Sequence, residues 1–451
     1  MSERAAALLR RVVDVREAEI RTVLWSGVYG FFLLASFYIL RPLREEMGVA
    51  GGVKNLPWMF TGTLIATLIT SPLFGILVSR YTRRRFIPYA YRFFVFNLVL
   101  FFALFRVLEG DARMDLARAL YIWVSVYNLF VVAVFWGYMA DIFTSEQGKR
   151  LFGFIAAGGT LGAIAGSGLT TSAVEVIGTM PLLLVAAGLV EAGLFAFRRI
   201  DRRLGEGAVT PAGAAERAAA VGVAEAAAPK EGGLHRTGIW GGLTLVLRSP
   251  YLLGIVFYML CLTTAATFTY FEQARSVAAY SSSPEARTAI FARIDLLVNL
   301  VALGAQMFLT GRILGWLGVG PTSAILPLVH LAGFTTLAFT PGLAPVIGFQ
   351  VARRSTDYAA ARPAREVLYT VLDREEKYKA KSFIDTFVYR GGDAMAGWLY
   401  TLITKGGDPA TRVAIFALPL TAVWLFVCLA LGRRQKELAE GTAPAAAPSA
   451  A

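Results

Sequence analysis

The sequence predicts an all-α polytopic membrane protein, with twelve transmembrane helices in two six-helix halves. Three observations carry this. Apolar residues make up 56% of the 451 and charged residues only 17%, against about 45–50% and about 25% in soluble chains. The apolar residues gather into a dozen stretches of about 20, each long enough to cross a bilayer. Lys and Arg are also distributed unevenly. Connections taken alternately hold roughly 29 on the side carrying both termini and roughly 9 on the other, which puts both termini in the cytoplasm of an inner-membrane protein.

In chain order, residues 1–21 form a cytoplasmic segment. From Ala5 to Ile20 it is basic and amphipathic, as an interfacial helix is. The first half, residues 22–200, has spans expected at 22–40, 57–78, 86–107, 119–140, 151–173 and 181–197. A connection over 201–249 follows. Its middle, Gly205 to Gly233, is rich in Ala, Gly and Glu and poor in aromatics, the composition of a flexible linker. The second half, 250–432, has spans expected at 250–271, 288–310, 321–339, 343–361, 382–404 and 412–431, and 433–451 is expected as a disordered cytoplasmic tail. Six spans, a long cytoplasmic loop and six more is the layout of the major facilitator superfamily.

Composition also removes several function classes. A net charge of +13 would suggest nucleic acid only if the basic residues formed one patch, and they fall in short clusters between spans. Cys261 and Cys428 lie inside apolar stretches, so no disulfide framework or zinc spacing arises. His235 and His330 are remote from each other. A membrane enzyme would need clustered His, Cys or metal ligands near the interface, so neither enzyme nor metal or other cofactor is expected. The spacing G-x-x-x-x-G-K-[ST] occurs nowhere, which excludes an ATPase motor of that type. No small-residue cleavage site follows the first apolar run, so no cleavable signal peptide is expected. The expected partners are the lipid bilayer and a small anionic substrate, with the chain a monomer.

Two repeated features fit two related halves. The connection after the second span, Gly75 to Arg84, resembles the superfamily loop G-x-L-x-D-R-x-G-R-R, with Ser79 and Thr82 replacing the Asp and second Gly. Leu309 to Arg312 is a weaker echo after the eighth span. Such a loop is either a cytoplasmic latch, with Arg80 in a gating or ion-pair role, or a plain positive-inside cluster. Gly158, Gly162 and Gly166 recur every fourth residue and form one smooth stripe for close helix contact. Gly391, Gly392, Ala396 and Gly397 make a similar patch.

Charges inside apolar stretches are costly and are usually kept for handling substrate or ions. Arg92, Arg106, Arg293, Arg353, Arg354 and Arg390 lie in or at the edge of spans. Arg353 and Arg354 are four and three residues before Asp357, so both can meet it on a helix surface. This group serves either an anionic substrate or a gate, or it is a structural ion pair. Guanidinium forks suit phosphate and carboxylate oxygens. Arg293 and Asp295 point to different faces and each needs a partner elsewhere. Arg390 and Asp393 can meet at i,i+3, while Asp385 lies nearer the cytoplasmic end as a cap or latch. Asp295 and His330 are the candidates for proton coupling, although a histidine in an apolar helix is more often a satisfied core residue. Glu191 suits a structural role. Arg41 and Arg44, around the helix-ending Pro42, are three apart at a cavity mouth or a solvated end. Tyr29, Tyr127, Phe135, Trp136 and Tyr138 either pack the bundle or stack a base.

Two tracts carry a family resemblance. Tyr38 to Glu46 resembles the Y-x-x-L-R-x-x-K-D element of the bacterial and plastid ATP/ADP translocases. Arg365 to Asp373, Glu376 to Lys381, Ile384-Asp385 and Arg390-Gly391 together look like that family's K-E-M-x-Y-I-P-L-D-x-E-x-K-x-K-x-K-x-x-I-D…R-x-G-K block. The blocks cover about a seventh of the chain, and the hydropathy layout extends the similarity to nearly all of it. The resemblance implies a twelve-helix antiporter that exchanges nucleotides such as ATP and ADP, with basic side chains gripping phosphates. By position these are Arg41 and Arg44 in the first tract, and Arg365, Lys381 and Arg390 in the second. Asp393 stands where the family has a lysine, and an acid there repels a tri-anion at short range. Val371 replaces a proline. These departures point to a distant branch with an anionic, nucleotide-like substrate. Arg41, Arg44, Arg353, Arg354 and Arg390 are thus the expected substrate-binding residues, and Asp357, Asp385, Asp393, Arg365, Lys381 and Arg80 the gating or ion-pair residues. The rival reading is proton-coupled transport of a non-nucleotide metabolite or drug, with Asp295, Asp357 and Asp393 carrying the proton.

Overall fold

Residues 15–205 and 239–441, apart from 18 and 407, are described in a computed structural model, and among them there is no strand. The helices are α1 (Ile20–Ala50), α2 (Leu56–Arg80), α3 (Arg83–Val107), α4 (Gly110–Ile142), α5 (Ser145–Ile177), α6 (Leu182–Gly205), α7 (Ile239–Arg248), α8 (Pro250–Tyr280), α9 (Pro284–Phe308), α10 (Thr310–Leu317) and α11 (Val319–Phe339). The remainder are α12 (Leu343–Thr356), α13 (Arg362–Leu368), α14 (Arg374–Phe383), α15 (Tyr389–Thr404) and α16 (Pro409–Gly441). A π-helical turn, Asp357–Ala361, joins α12 to α13, and a second, Ile384–Val388, joins α14 to α15.

Every expected span falls on one of these helices or helix pairs. Among the described residues nine helices are single, long and apolar enough to cross a bilayer. The expected spans at 181–197, 343–361 and 382–404 fall outside those nine. α6 carries Glu191 and a basic end with Arg202 and Arg203, and the other two are interrupted by the π turns. The expected linker ends in helix α7, and α16 continues to Gly441, through residues 433–441 that had been assigned to a disordered tail. Most of the expected amphipathic segment, the linker from 206 to 238 and residues 442–451 lie outside the described residues.

The chain forms two compact units. The first comprises residues 1–55, 65–232 and 281–299, the second 56–64, 233–280 and 300–451. Each therefore takes a short stretch from the other half of the sequence. In the first unit α1 is the hub, packed on α4, α5 and α6. The glycine stripe is what permits this: a Cβ at Gly158, Gly162 or Gly166 would run into the backbone of Gly27, Phe31 or Ala35 on α1. Buried hydroxyl pairs fix its register, Tyr29 to Tyr91 at 2.6 Å and Ser36 to Tyr127 at 2.9 Å.

In the second unit α8 packs on α12, α15 and α16, and α11 lies along α16. Of the second glycine patch, Gly392 and Gly397 do meet neighbours, Thr263 with Leu260 and Phe271 with Pro57, whereas Gly391 faces open space. Residues 56–64 join this unit through aromatic contacts, Trp58 edge-on to Trp398 at 4.8 Å and Phe60 against Phe271 at 5.6 Å. Both cysteines are free and buried.

Candidate functional site

The second unit concentrates the cations on the interrupted helices. Arg353 and Arg354 end α12, where the π turn begins. The expected meeting of Arg353 and Asp357 does not occur. Arg353 donates from Nε and Nη2 to Oε1 of Gln350 at 3.2 and 2.9 Å. Gln350 is itself buried and reaches the Thr269 carbonyl at 3.5 Å. Asp357 instead accepts from Arg362 at 2.8 Å, and that guanidinium covers the Tyr358 ring at 4.4 Å. Arg354 is buried. So the half-buried Arg353 is held by a neutral amide, while the acid nearest in sequence is occupied five residues on.

The second π turn leads into Tyr389 and Arg390. Arg390 and Asp393 approach to 3.9 Å, as their spacing required, and Asp393 also accepts from Thr267 at 3.5 Å. Arg365 places Nη1 3.5 Å from the sulfur of Met259. Lys381 pairs with Glu366 and stands over the Tyr369 ring. Asp385 is exposed, in the second π turn.

His330 is completely buried, with its ring among Phe334, Phe349 and Trp424, and Nδ1 donates to the Leu326 carbonyl of its own helix at 3.0 Å. The ring is packed as core, but its Nε2 is buried without a hydrogen-bond partner among the described residues.

In the first unit, Arg41 lies 3.7 Å from the buried Asp295, and Arg293 lies 3.5 Å from Glu175. Arg293 and Asp295 thus point apart and each has its own acid or base. Arg44 stacks on Tyr121 at 4.1 Å, donates to Ser125 at 2.9 Å and pairs with Glu45 at 3.0 Å. Of the six arginines in or near spans, Arg92, Arg106 and Arg293 are exposed, and Arg106 lies over Phe102. Tyr29, Tyr127, Phe135 and Tyr138 are buried against one another and their neighbours as core, which leaves them no open face for a base.

Several charged residues were not singled out from sequence. Glu46 is fully buried and accepts two bonds from Arg287, 2.7 Å from Nε and 2.6 Å from Nη2. Glu272 is buried between Arg275 and the Tyr400 hydroxyl, at 2.8 and 2.7 Å. In the Gly75 to Arg84 loop an ion pair is made by Arg84, whose Nε donates to both carboxylate oxygens of Asp201 in α6 at 2.7 and 2.6 Å, while Arg80 is exposed and its side chain bonds to no described residue. Glu46 lies beyond the expected first span, 22–40, and only the extension of α1 to Ala50 buries it inside a helix, where an acid has the same claim to a partner as an arginine.

No protein-family profile matches the chain. Among solved structures, a variant of the nucleoside transporter NupG superposes with a TM-score of 0.62 at 12% identity, covering 91% of this chain and 99% of that one. The peptide transporter POT in complex with sulfate gives 0.58 at 15% identity, covering 92% and 95%, and the inward-open xylose transporter XylE from E. coli 0.59 at 11%, covering 89% and 94%. The fold is that of the major facilitator transporters. Among curated proteins the chain is similar to ADP,ATP carrier protein 1 of Chlamydia muridarum, 26% identical over 234 residues, and to its counterpart in Chlamydia trachomatis, 26% over 232. Each match spans 44% of this chain and 44% of the relative, less than half the length of either. Over the matched residues the chain is similar to these Chlamydia ADP,ATP carriers, and the relatives and structural neighbours it resembles are named as transporters.

Proposed function

We propose that this protein is a secondary transporter that exchanges an anionic, nucleotide-like substrate across the cytoplasmic membrane, with both termini on the cytoplasmic side. The observation that carries the reading is Arg353, a span guanidinium held by a neutral amide rather than by an acid, beside the buried Arg354. A fixed fork of this kind attracts phosphate oxygens and gains strength in a site shielded from water. Arg390 adds a third cation in the same unit, and Arg41 and Arg44 are the basic groups of the first. Similarity to the ADP,ATP carriers supports a nucleotide-like substrate. Asp393 tempers the charge at Arg390 and favours a substrate less charged than a triphosphate.

The test is uptake into proteoliposomes preloaded with nucleotide. Trans-stimulation by unlabelled substrate supports exchange. Arg353→Ala and Arg354→Ala reduce uptake while leaving membrane insertion and thermal stability close to the parent; normal uptake by both variants sinks the assignment. Buried carboxylates, Glu272 on Tyr400 above all, favour a second reading of proton-coupled transport. A protonophore abolishes transport in that case and leaves pure exchange intact.

A further inference from the structure

The first unit contains a cavity of about 800 Å³ between α2, α3 and α4. This is a volume typical of small-molecule sites. Its wall is almost entirely apolar, with Leu73 and Phe74 from α2, Phe86 and Phe93 from α3 and Phe130 from α4. Phe74 stands edge-on to Phe86 and Phe130 at 5.8 and 4.8 Å, which makes a packed aromatic floor. Leu73, Tyr89 and Phe93 are exposed along the side, so the groove opens outward from the unit.

One end of the groove is different. Tyr81 and Arg85 line it where α3 begins. The adjacent Arg84 is committed to Asp201, but Arg85 is exposed and its side chain bonds to no described residue. Thr82 caps α3 in an extended conformation without a side-chain hydrogen bond. The positive end of the α3 dipole therefore adds to the charge of Arg85.

We propose that this groove seats one acyl chain of an anionic phospholipid, with its phosphate at Arg85 and the start of α3. A long apolar trough ending in a single cation matches the lipid's own division into tail and charged head. Tyr81 and Tyr89 supply amphipathic rings at headgroup level. Charge asymmetry assigns this loop to the cytoplasmic side, where anionic lipids concentrate. Free phosphate has no use for the aromatic floor, and a zwitterionic lipid brings its own cation against Arg85.

The full-length chain, purified in neutral detergent, is tested with phosphatidylglycerol, with phosphatidylcholine of the same acyl chains, and with inorganic phosphate. Thermal unfolding and the lipid retained in native mass spectra are the readouts. Phosphatidylglycerol is expected to stabilise more than phosphatidylcholine, and phosphate not at all. Arg85→Gln, at an exposed position that does not threaten folding, lowers phosphatidylglycerol retention about fivefold and brings it to the phosphatidylcholine level. Leu73→Trp narrows the trough from an exposed position and reduces retention of both lipids. Equal stabilisation of the parent by the two lipids, an undiminished preference in Arg85→Gln, or stabilisation by phosphate alone overturns the assignment.

Discussion

Breaking the Glu46–Arg287 pair tests the charge arrangement of the first unit most directly. Glu46 has no exposed side-chain surface, the guanidinium is 11% exposed, and the two bonds are 2.6 and 2.7 Å long. At that separation the Coulomb attraction is about 6 kcal/mol for an effective dielectric of about 20. Desolvation of the two ions costs several kcal/mol each and offsets most of this. The intact pair is therefore close to neutral against an apolar pair of similar shape, whereas half a pair is not. Arg287→Met strands the carboxylate and is expected to cost about 3–5 kcal/mol. Glu46→Leu strands the guanidinium at a similar cost. The double variant should return to within about 1–2 kcal/mol of the parent. The remainder reflects the bonds that Arg287 also gives to the Ser281 and Ser282 carbonyls, each worth about 1 kcal/mol. The assay is a double-mutant cycle on unfolding in mixed micelles against rising denaturing detergent. Single-variant costs that simply add in the double variant, or an Arg287→Met cost under about 1 kcal/mol, would refute the account of a buried, mutually dependent pair.

Four other outcomes are expected. Gly162→Val places a side chain against the Phe31 backbone and should cost about 3 kcal/mol through overpacking, measured by thermal shift. Gly188→Ala, facing open space in α6, should be neutral or slightly stabilising. Glu19, just before α1, is pushed up by burial but held lower overall by bonds from Gln147, the Arg16 amide and Arg150, so its carboxyl titrates below the ordinary 4.5. Because the folded state favours the charged form, this contribution is present above that value and is lost as pH falls through the lowered one. Unfolding temperature should then drop more steeply on acidification for the parent than for Glu19→Gln. In the transport assay, Gln350→Leu removes the bracket on Arg353 and should raise the substrate KM more than it lowers turnover, which a purely structural defect would not do.

Much of the fold was legible because its cause is local. Spans follow from runs of apolar residues, and the α1–α5 seam follows from three glycines at helical spacing. Partners distant in sequence were not legible. Nothing near Arg84 announces Asp201, 117 residues away, and nothing near Glu46 announces Arg287, 241 away. Those pairs exist because helix packing brings the residues together. Aromatic residues show the same limit: Tyr29 and Tyr127 have the chemistry to stack a base, and only burial decides that they pack instead.

The arginine cluster turned on a smaller effect. Arg353 and Asp357 are four residues apart, which on a regular helix makes them neighbours. From Asp357 the backbone widens to a π turn, whose repeat is five residues, and such turns recur at functional sites. Asp357 accordingly meets Arg362, five residues on, and Arg353 is left to Gln350. The turn from Arg353 to Asp357 stays regular, with the Asp357 amide on the Arg353 carbonyl, so the acid is drawn off by the Arg362 side chain that the π turn brings to it. The consequence is chemical: a guanidinium that would have been neutralised keeps its charge, beside a second buried arginine, on a helix that ends where the irregularity begins. Arg362→Leu should release Asp357 from its partner and leave it free to turn toward Arg353, four residues back on a regular turn. If Arg353 acts as proposed, substrate affinity falls with that substitution even though Arg353 and Arg354 are intact.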